Sequence, residues 1–247
     1  SQIEDFSHLP ESTPEEVEAK RQKYIEINSG SDWWRLKNLA DIQTAQFFIP
    51  KTEGNESKIV TDARYFELLS KKQIIGDFLY KAEEMQREKR FFHWFLEFPE
   101  VFEGGGFDCI LGNPPYLGAQ RISEFYGSMY FNFIKHFHNV GGLSDLMVYF
   151  ILRIFSLSRH GGFISFLSTS SINKGESRLN GLYKLTNNHG SIIFAVEKVK
   201  WPGIAQTFVS LLSIFKGEFT KTKSLNYKKV NNINSYLSDE YEGENSE

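Results

Sequence analysis

Four consecutive residues, Asn113-Pro114-Pro115-Tyr116, combine a side-chain amide, two rings that lock the backbone, and a phenol. Proline fixes φ at two successive positions, so the Asn113 amide and the carbonyls of Asn113 and Pro114 are held stiffly. Acceptors held in this way suit chemistry on an amine attached to a flat ring. Such a nitrogen is a poor nucleophile because its lone pair is delocalised into the ring. Acceptors around its two N–H bonds favour a pyramidal nitrogen and free the lone pair for in-line attack on a methyl group. Tyr116 is placed to stack on the ring and fix its plane. The competing reading of the tetrapeptide is an ordinary turn. Its context favours the chemistry: Phe107-Asp108-Cys109-Ile110-Leu111-Gly112 reads as a buried strand, and in open α/β sheets ligands bind beyond the carboxyl ends of strands.

The elements that must carry this bend fall into two blocks. Residues 1–90 read as a helical segment. Ser12-Thr13-Pro14-Glu15-Glu16 is a helix start. A second helix is expected from about Trp33 to Phe48, stopped by Pro50, and a loop over 51–60. A third should run from Thr61 or Asp62 toward Arg90. Phe91 to Phe98, aromatic and bounded by Pro99, suits a strand or an extended packing segment. From 107 onward strands alternate with helices. Helices are predicted at about Ser123–His138, from Ser144 (as cap) to Gly161-Gly162, and over 176–189. Strands are predicted at 107–112, 163–168, 191–196 and 206–215. That alternation indicates an α/β domain over 91–230 with a mostly parallel sheet covered on both faces. Residues 231–247 read as an acidic tail or linker.

Composition sets outer limits. Hydrophobic residues at 40% and charged residues at 24% suit a folded globular chain. The 15% aromatic share, chiefly 23 phenylalanines, can fill a core or line a pocket for a flat ligand. No apolar run reaches the ~20 residues of a bilayer span, which argues against a membrane partner. The lone cysteine, Cys109, excludes an internal disulfide and a Cys-based zinc cluster. Its apolar neighbours predict a buried, inert thiol, compatible with a reducing cytoplasm. The net charge of -3 conceals an asymmetry: residues 107–230 hold 14 Lys and Arg against 6 Asp and Glu, between two acidic flanks. This central region can face phosphates, or its lysines (Lys221, Lys223, Lys228, Lys229) can be a solvated face. Charge alone does not choose.

Weaker constellations reduce to structure. Glu18-x-Lys20 has the outline of a nuclease motif but lies on a charged helix face. His136 and His138, two apart on a helix, diverge and make a poor metal pair. No metal site and no nucleophilic triad is predicted.

Here the sequence resembles a known family, the γ-type adenine-N6 DNA methyltransferases, and most closely the catalytic-loop half of the methyltransferase domain in large restriction–modification enzymes of types IIG and IIL. The resemblance covers about residues 36 to 216. It rests on Leu39-Ala40-Asp41 with Thr44-Ala45, on Phe92-His93-Trp94 through Pro99-Glu100-Val101-Phe102, and on Gly105-Gly106-Phe107-Asp108 leading into Asn113-Pro114-Pro115-Tyr116. Further on it rests on Ser144-Asp145-Leu146, Gly161-Gly162-Phe163-Ile164, and Lys200-Trp201-Pro202-Gly203-Ile204 with Thr207. It implies a partial Rossmann-like class I S-adenosylmethionine methyltransferase fold, represented by its C-terminal strands. It also implies double-stranded DNA as partner and S-adenosyl-L-methionine as cofactor. Carried over, the Asn113 side chain and the Pro114 carbonyl accept from the amino group of a flipped adenine, and Tyr116 stacks on it. Trp201 stands where the family usually has Phe across the base; its plainer reading is a packing residue before a turn. Asp145 would approach the methionine part of the cofactor, or else is a first-turn acid complementing the helix dipole.

The family's Gly-rich cofactor turn, between a strand and a helix, is not recognisable. Gly104-Gly105-Gly106 precedes a strand, and His160-Gly161-Gly162 ends a helix and enters one, so both read as turns. The expectation is therefore a fragment of low activity that lacks the first three strands. Four strands should remain, with 107–112 at an edge that invites the missing cofactor-binding half, another copy of the chain, or cover from the N-terminal helices. Two rivals stand beside this reading. One is glutamine-N5 methylation of a protein, which uses a similar loop on an amide. The other is a non-catalytic DNA- or partner-binding module.

Overall fold

The computed structural model describes residues 6, 8–28, 30–201 and 208–240. The chain divides between Glu103 and Gly104 into two compact units.

The first unit is helical: α1 (Pro14–Asn28), α2 (Ser31–Ala45), α3 (Asp62–Ser70), α4 (Asp77–Lys89), α5 (Trp94–Glu97) and α6 (Pro99–Glu103). The start signal works as a capping box between Thr13 and Glu16. The Glu16 carboxylate accepts from the backbone N–H of Ser12 and Thr13, and Thr13 Oγ1 accepts from Glu16 N. The core is an apolar cluster of Leu39, Ile42, Ala45, Ile49, Leu68, Phe78, Ala82 and Met85. Asp41, almost fully buried, pairs with Lys37 and meets His93 Nε2 at 2.8 Å, so two segments of the resemblance close on one another. The single helix expected from 61 to 90 is two, because Lys71 turns extended and Gly76 takes φ 151. A Cβ at Gly76 would lie 2.3 Å from the Phe78 ring. The run from Phe91 to Phe98 is not a strand: its rings pack on one another, Phe92 edge-on to Trp94 and Trp94 stacked on Phe98, around the short turn α5.

In the second unit, β1 (Phe107–Gly112) is followed by α7 (Ala119–Tyr126), α8 (Ser128–Phe137), α9 (Leu146–Leu157) and β2 (Ser158–Thr169). A helical run over 175–187 comes next, its middle (Arg178–Tyr183) wound as π-helix. It leads to β3 (Gly190–Lys200), β4 (Phe208–Lys216), β5 (Lys223–Leu225) and β6 (Lys228–Val230). The sheet order is β1-β2-β4-β3-β5-β6. The α/β class and the edge position of β1 are as expected, but the sheet is mixed. β1 pairs parallel to β2, and β3 to β5, while the β2–β4, β3–β4 and β5–β6 pairs are antiparallel. The connection from β3 to β4 is too short for the dozen or more residues a parallel crossover needs, so β4 returns antiparallel.

One face of this sheet is the core. Met147, Val148, Ile151 and Phe155 of α9 and Leu182 and Leu185 of the π-wound helix close over Ile164, Phe166, Ile192, Ala195, Leu212 and Ile214. Each of these side chains larger than alanine is worth ~1.5–3 kcal/mol on burial. The alternate residues of β2 and β4, including Phe163, Leu167, Leu211 and Phe215, are only half-buried or exposed, so the sheet is not covered equally on both faces. Among the described residues β1 has one neighbouring strand, and Cys109 is exposed rather than buried, with Leu111 81% exposed beside it. Close approach of β1 to β2 depends on Gly106, at φ 122, where a Cβ would sit 2.4 Å from the Leu157 carbonyl.

Three further local expectations are corrected. The helix expected over 123–138 is α7 and α8, split by Gly127 at φ 85. The cap of α9 is Asp145, not Ser144. The pairing of β2 begins at Ser158, so His160-Gly161-Gly162 is a wide bulge inside a strand rather than a turn before it. The hairpin β5–β6 went unpredicted because its strands are three residues long and lysine-rich. Of the stretch expected as a tail, Ile233, Asn234, Ser235 and Leu237 are buried.

Candidate active site

β1, β2 and β3 run in one direction, so Gly112, Thr169 and Lys200 end on the same side of the sheet. The Asn113–Tyr116 bend leaves that side from the sheet edge. Pro114 is buried, whereas Asn113, Pro115 and Tyr116 are exposed, Tyr116 to 39%. The buried ring anchors the bend and leaves the amide and the phenol outward. The Tyr116 hydroxyl donates to Asn113 Oδ1 at 2.8 Å. An amide oxygen has two acceptor sites, so Asn113 keeps one for an incoming N–H. Burial, and secondarily the Asp145 carboxylate, raise the Tyr116 pKa above its usual value, which keeps the phenol a donor.

Asp145 holds the far end of the bend. Its Oδ1 accepts from Met147 N at 2.9 Å as the cap of α9 and from Leu117 N at 3.4 Å. Leu146 N donates back to the Leu117 carbonyl at 2.9 Å. Behind it, the Asn180 amide lies 2.9–3.0 Å from Gly141 O, Ser144 Oγ and Glu176 Oε2. Gly142 at φ 58 lets Glu176 close in: a Cβ there would lie 2.5 Å from Glu176 Oε2. Asn180 escapes a sequence reading because Gly141 and Ser144 lie 39 and 36 residues upstream, and its spacing of four from Glu176 says nothing of that loop.

Trp201, half-buried, follows β3 on the same side of the sheet. Two strands separate its column from β1, which at about 4.8 Å per step is ~14 Å. The sheet thus aligns Trp201 with the bend without bringing them into contact. Pro202, Gly203, Ile204 and Thr207 lie outside the described residues.

Part of the basic region is tied to the protein's own acceptors. Lys216 donates to the Phe155 and Ser158 carbonyls, Lys184 to those of His138 and Asn139, and Arg178 to Ser235 Oγ. Arg159 pairs with Asp108. His138 rests against Tyr149. Among the described residues no three His, Cys, Asp or Glu side chains come together as metal ligands, and no helix is long and apolar enough to cross a membrane.

No curated protein sequence matches the chain. Among solved structures, it is similar to the type IIL restriction-modification enzyme MmeI in complex with DNA, at 22% identity and a TM-score of 0.42. That match covers 59% of this chain and 21% of MmeI. It is also similar to a candidate class I S-adenosylmethionine-dependent methyltransferase from Listeria monocytogenes, at 15% identity and a TM-score of 0.33, over 46% of this chain and 32% of that one. The chain thus spans about a fifth of the length of MmeI and a third of the Listeria protein. The sequence profile of the Eco57I restriction-modification methylase takes in α2, the bend, α9 and most of β3, over residues 18–199 of the 247; with that much of it matched, the chain belongs to the Eco57I restriction-modification methylase family.

Proposed function

We propose that the chain is the catalytic-loop half of a site-specific adenine-N6 DNA methyltransferase of a restriction–modification system, working on a base flipped out of duplex DNA. The observation that carries this is the outward-facing Asn113 amide beside the Tyr116 phenol, on a two-proline bend at the end of a parallel strand. In this reading Asn113 Oδ1 and the Pro114 carbonyl accept the two N–H bonds of the adenine amine. Tyr116 stacks on the ring, and Trp201 reaches the base from the loop after β3. Held by these two acceptors, the amine would present its lone pair to the methyl group of a bound donor and release a proton to solvent.

Bound S-adenosyl-L-methionine supplies an electrophilic methyl group on a cationic sulfur. Asp145 fits the methionine end, since only one of its oxygens has a partner among the described residues. The described residues before β1 are helical and offer the nucleotide end no Gly-rich strand-to-helix turn. The open edge of β1, with Leu111 exposed, suits the addition of a cofactor-binding half or a second copy of the chain. Asn113→Ala in the full-length protein tests the assignment. Methyl transfer to duplex adenine should be lost while DNA affinity stays nearly unchanged; an equal loss of both, or transfer to a protein glutamine instead, overturns it.

A further inference from the structure

The hairpin β5–β6 belongs to the same row of the sheet as the Asn113 bend. Register runs across from Gly112 to Phe166, Leu212, Ala195 and Leu225. β5 is parallel to β3 and so to β1, so its tip, Asn226-Tyr227, leaves the sheet on the side where Asn113 does. Four strand steps separate them, ~19 Å at about 4.8 Å each, or between five and six base pairs at ~3.4 Å rise. A duplex that offers a base to Asn113 and runs along this end of the sheet passes the hairpin.

The tip is built to be rigid. Asn226 N donates to the Ala195 carbonyl at 2.8 Å, and Asn226 Oδ1 accepts from Glu197 N at 2.9 Å. Both central residues are left-handed, Asn226 at φ 49 and Tyr227 at φ 65. That suits a two-residue turn, but it is a strained place for a bulky ring, where glycine is the relaxed choice. Tyr227 is nonetheless 76% exposed there. Lys228 and Lys229 follow it, and Lys198 and Lys200 on β3 and Lys221 before β5 are exposed as well. Among the described residues none of these five lysines makes an ion pair. Lys184, Lys216 and Arg178 differ from them in donating to acceptors of the protein itself.

We propose that this hairpin is a duplex-DNA contact, with Lys228 and Lys229 on backbone phosphates and Tyr227 against the sugar–phosphate edge a half-turn from the flipped base. The proposal rests on the reading of the chain as a DNA methyltransferase. Its test is duplex affinity of the full-length protein across a salt series, for wild type, Lys228→Ala/Lys229→Ala and Tyr227→Gly. The double variant should lower the slope of log K against log salt by about 2 and weaken specific and unrelated duplexes alike. Tyr227→Gly should weaken DNA binding while leaving the melting temperature unchanged or higher, since it relieves the left-handed ring. An unchanged slope, or a wild type that binds no duplex, overturns the hairpin. Methyl transfer measured on the same proteins separates the two ideas. A methylating wild type whose slope the lysines do not affect sinks the hairpin alone. Lysine-dependent binding without any methyl transfer by the wild type sinks the methyltransferase alone.

Discussion

One oxygen of Asp145 serves both Leu117 and Met147: Oδ1 accepts from Leu117 N at 3.4 Å and from Met147 N at 2.9 Å. The start of α9 and the end of the Asn113–Tyr116 bend therefore share an anchor, and Leu146 N answers by donating to the Leu117 carbonyl. Asp145→Ala removes both bonds. The lost cap alone should cost ~1 kcal/mol, or about 2–4 °C in melting temperature. The loosened bend should lower kcat more than this loss of stability explains. Asp145→Asn, which keeps an acceptor oxygen, should restore the melting temperature. Recovery of kcat along with it would assign Asp145 to positioning. Recovery of stability without kcat would assign its charge to the cofactor.

Tyr116 holds Asn113 through its hydroxyl and offers its ring to a base, and the two roles come apart by substitution. Tyr116→Phe deletes only the 2.8 Å bond to Asn113 Oδ1. It should leave base capture intact and change kcat modestly. Tyr116→Ala also removes the ring, and stacking of this kind is worth ~1–3 kcal/mol per base. Fluorescence of a base analogue at the target position should report flipping by the Tyr116→Phe protein and lose that signal in Tyr116→Ala. Equal signals in the two variants would remove the ring from the site.

How far the sequence could be read follows from the range of the forces involved. The strand into the two-proline bend and the helix start over Ser12–Glu16 are legible because each depends on neighbouring residues. The breaks at Gly76 and Gly127 were missed: a lone glycine inside a helical pattern usually costs helix stability without ending the helix, and only the Phe78 ring shows why Gly76 must turn. Cys109 looked buried because Ile110, Leu111 and Phe107 surround it in sequence, yet burial of a strand depends on neighbours in space, and among the described residues β1 has one neighbouring strand. Ser144 and Asp145 are both good caps, but Ser144 Oγ accepts from Asn180 while Asp145 Oδ1 accepts from Met147 N and Leu117 N. Asn180 braces the Gly141–Ser144 loop from far along the chain, and its four-residue spacing to Glu176 does not point to that loop.

Tyr149 sits in the core with its hydroxyl buried and, among the described residues, without a hydrogen-bond partner. Burial pushes its pKa up to about 12. An unsatisfied buried donor costs on the order of 1–3 kcal/mol, whereas the ring itself packs against Phe131 and His138. Tyr149→Phe keeps the ring and deletes the orphan, so it should be neutral or raise the melting temperature. A clear drop by calorimetry would mean that the hydroxyl has a partner, such as an ordered water.

His138, at the end of α8, titrates far from the ordinary range. Its pKa falls from 6.5 to about 4, mainly through burial against the Tyr149 side and then through the nearby charges of Arg153 and Lys184. A depressed pKa means the folded protein holds the ring neutral while the unfolded chain takes up a proton below about pH 6.5. Stability should therefore be full above that pH, decline as pH falls from about 6.5 to about 4, and level off below, as far as this group is concerned. The ring is partly solvated, so the loss should be smaller than the full shift implies. His138→Gln removes the titrating group, and its melting temperature should fall less than that of the wild type between pH 6.5 and 4. Parallel curves for the two proteins over that window would show that His138 is solvated and protonates freely in the folded state.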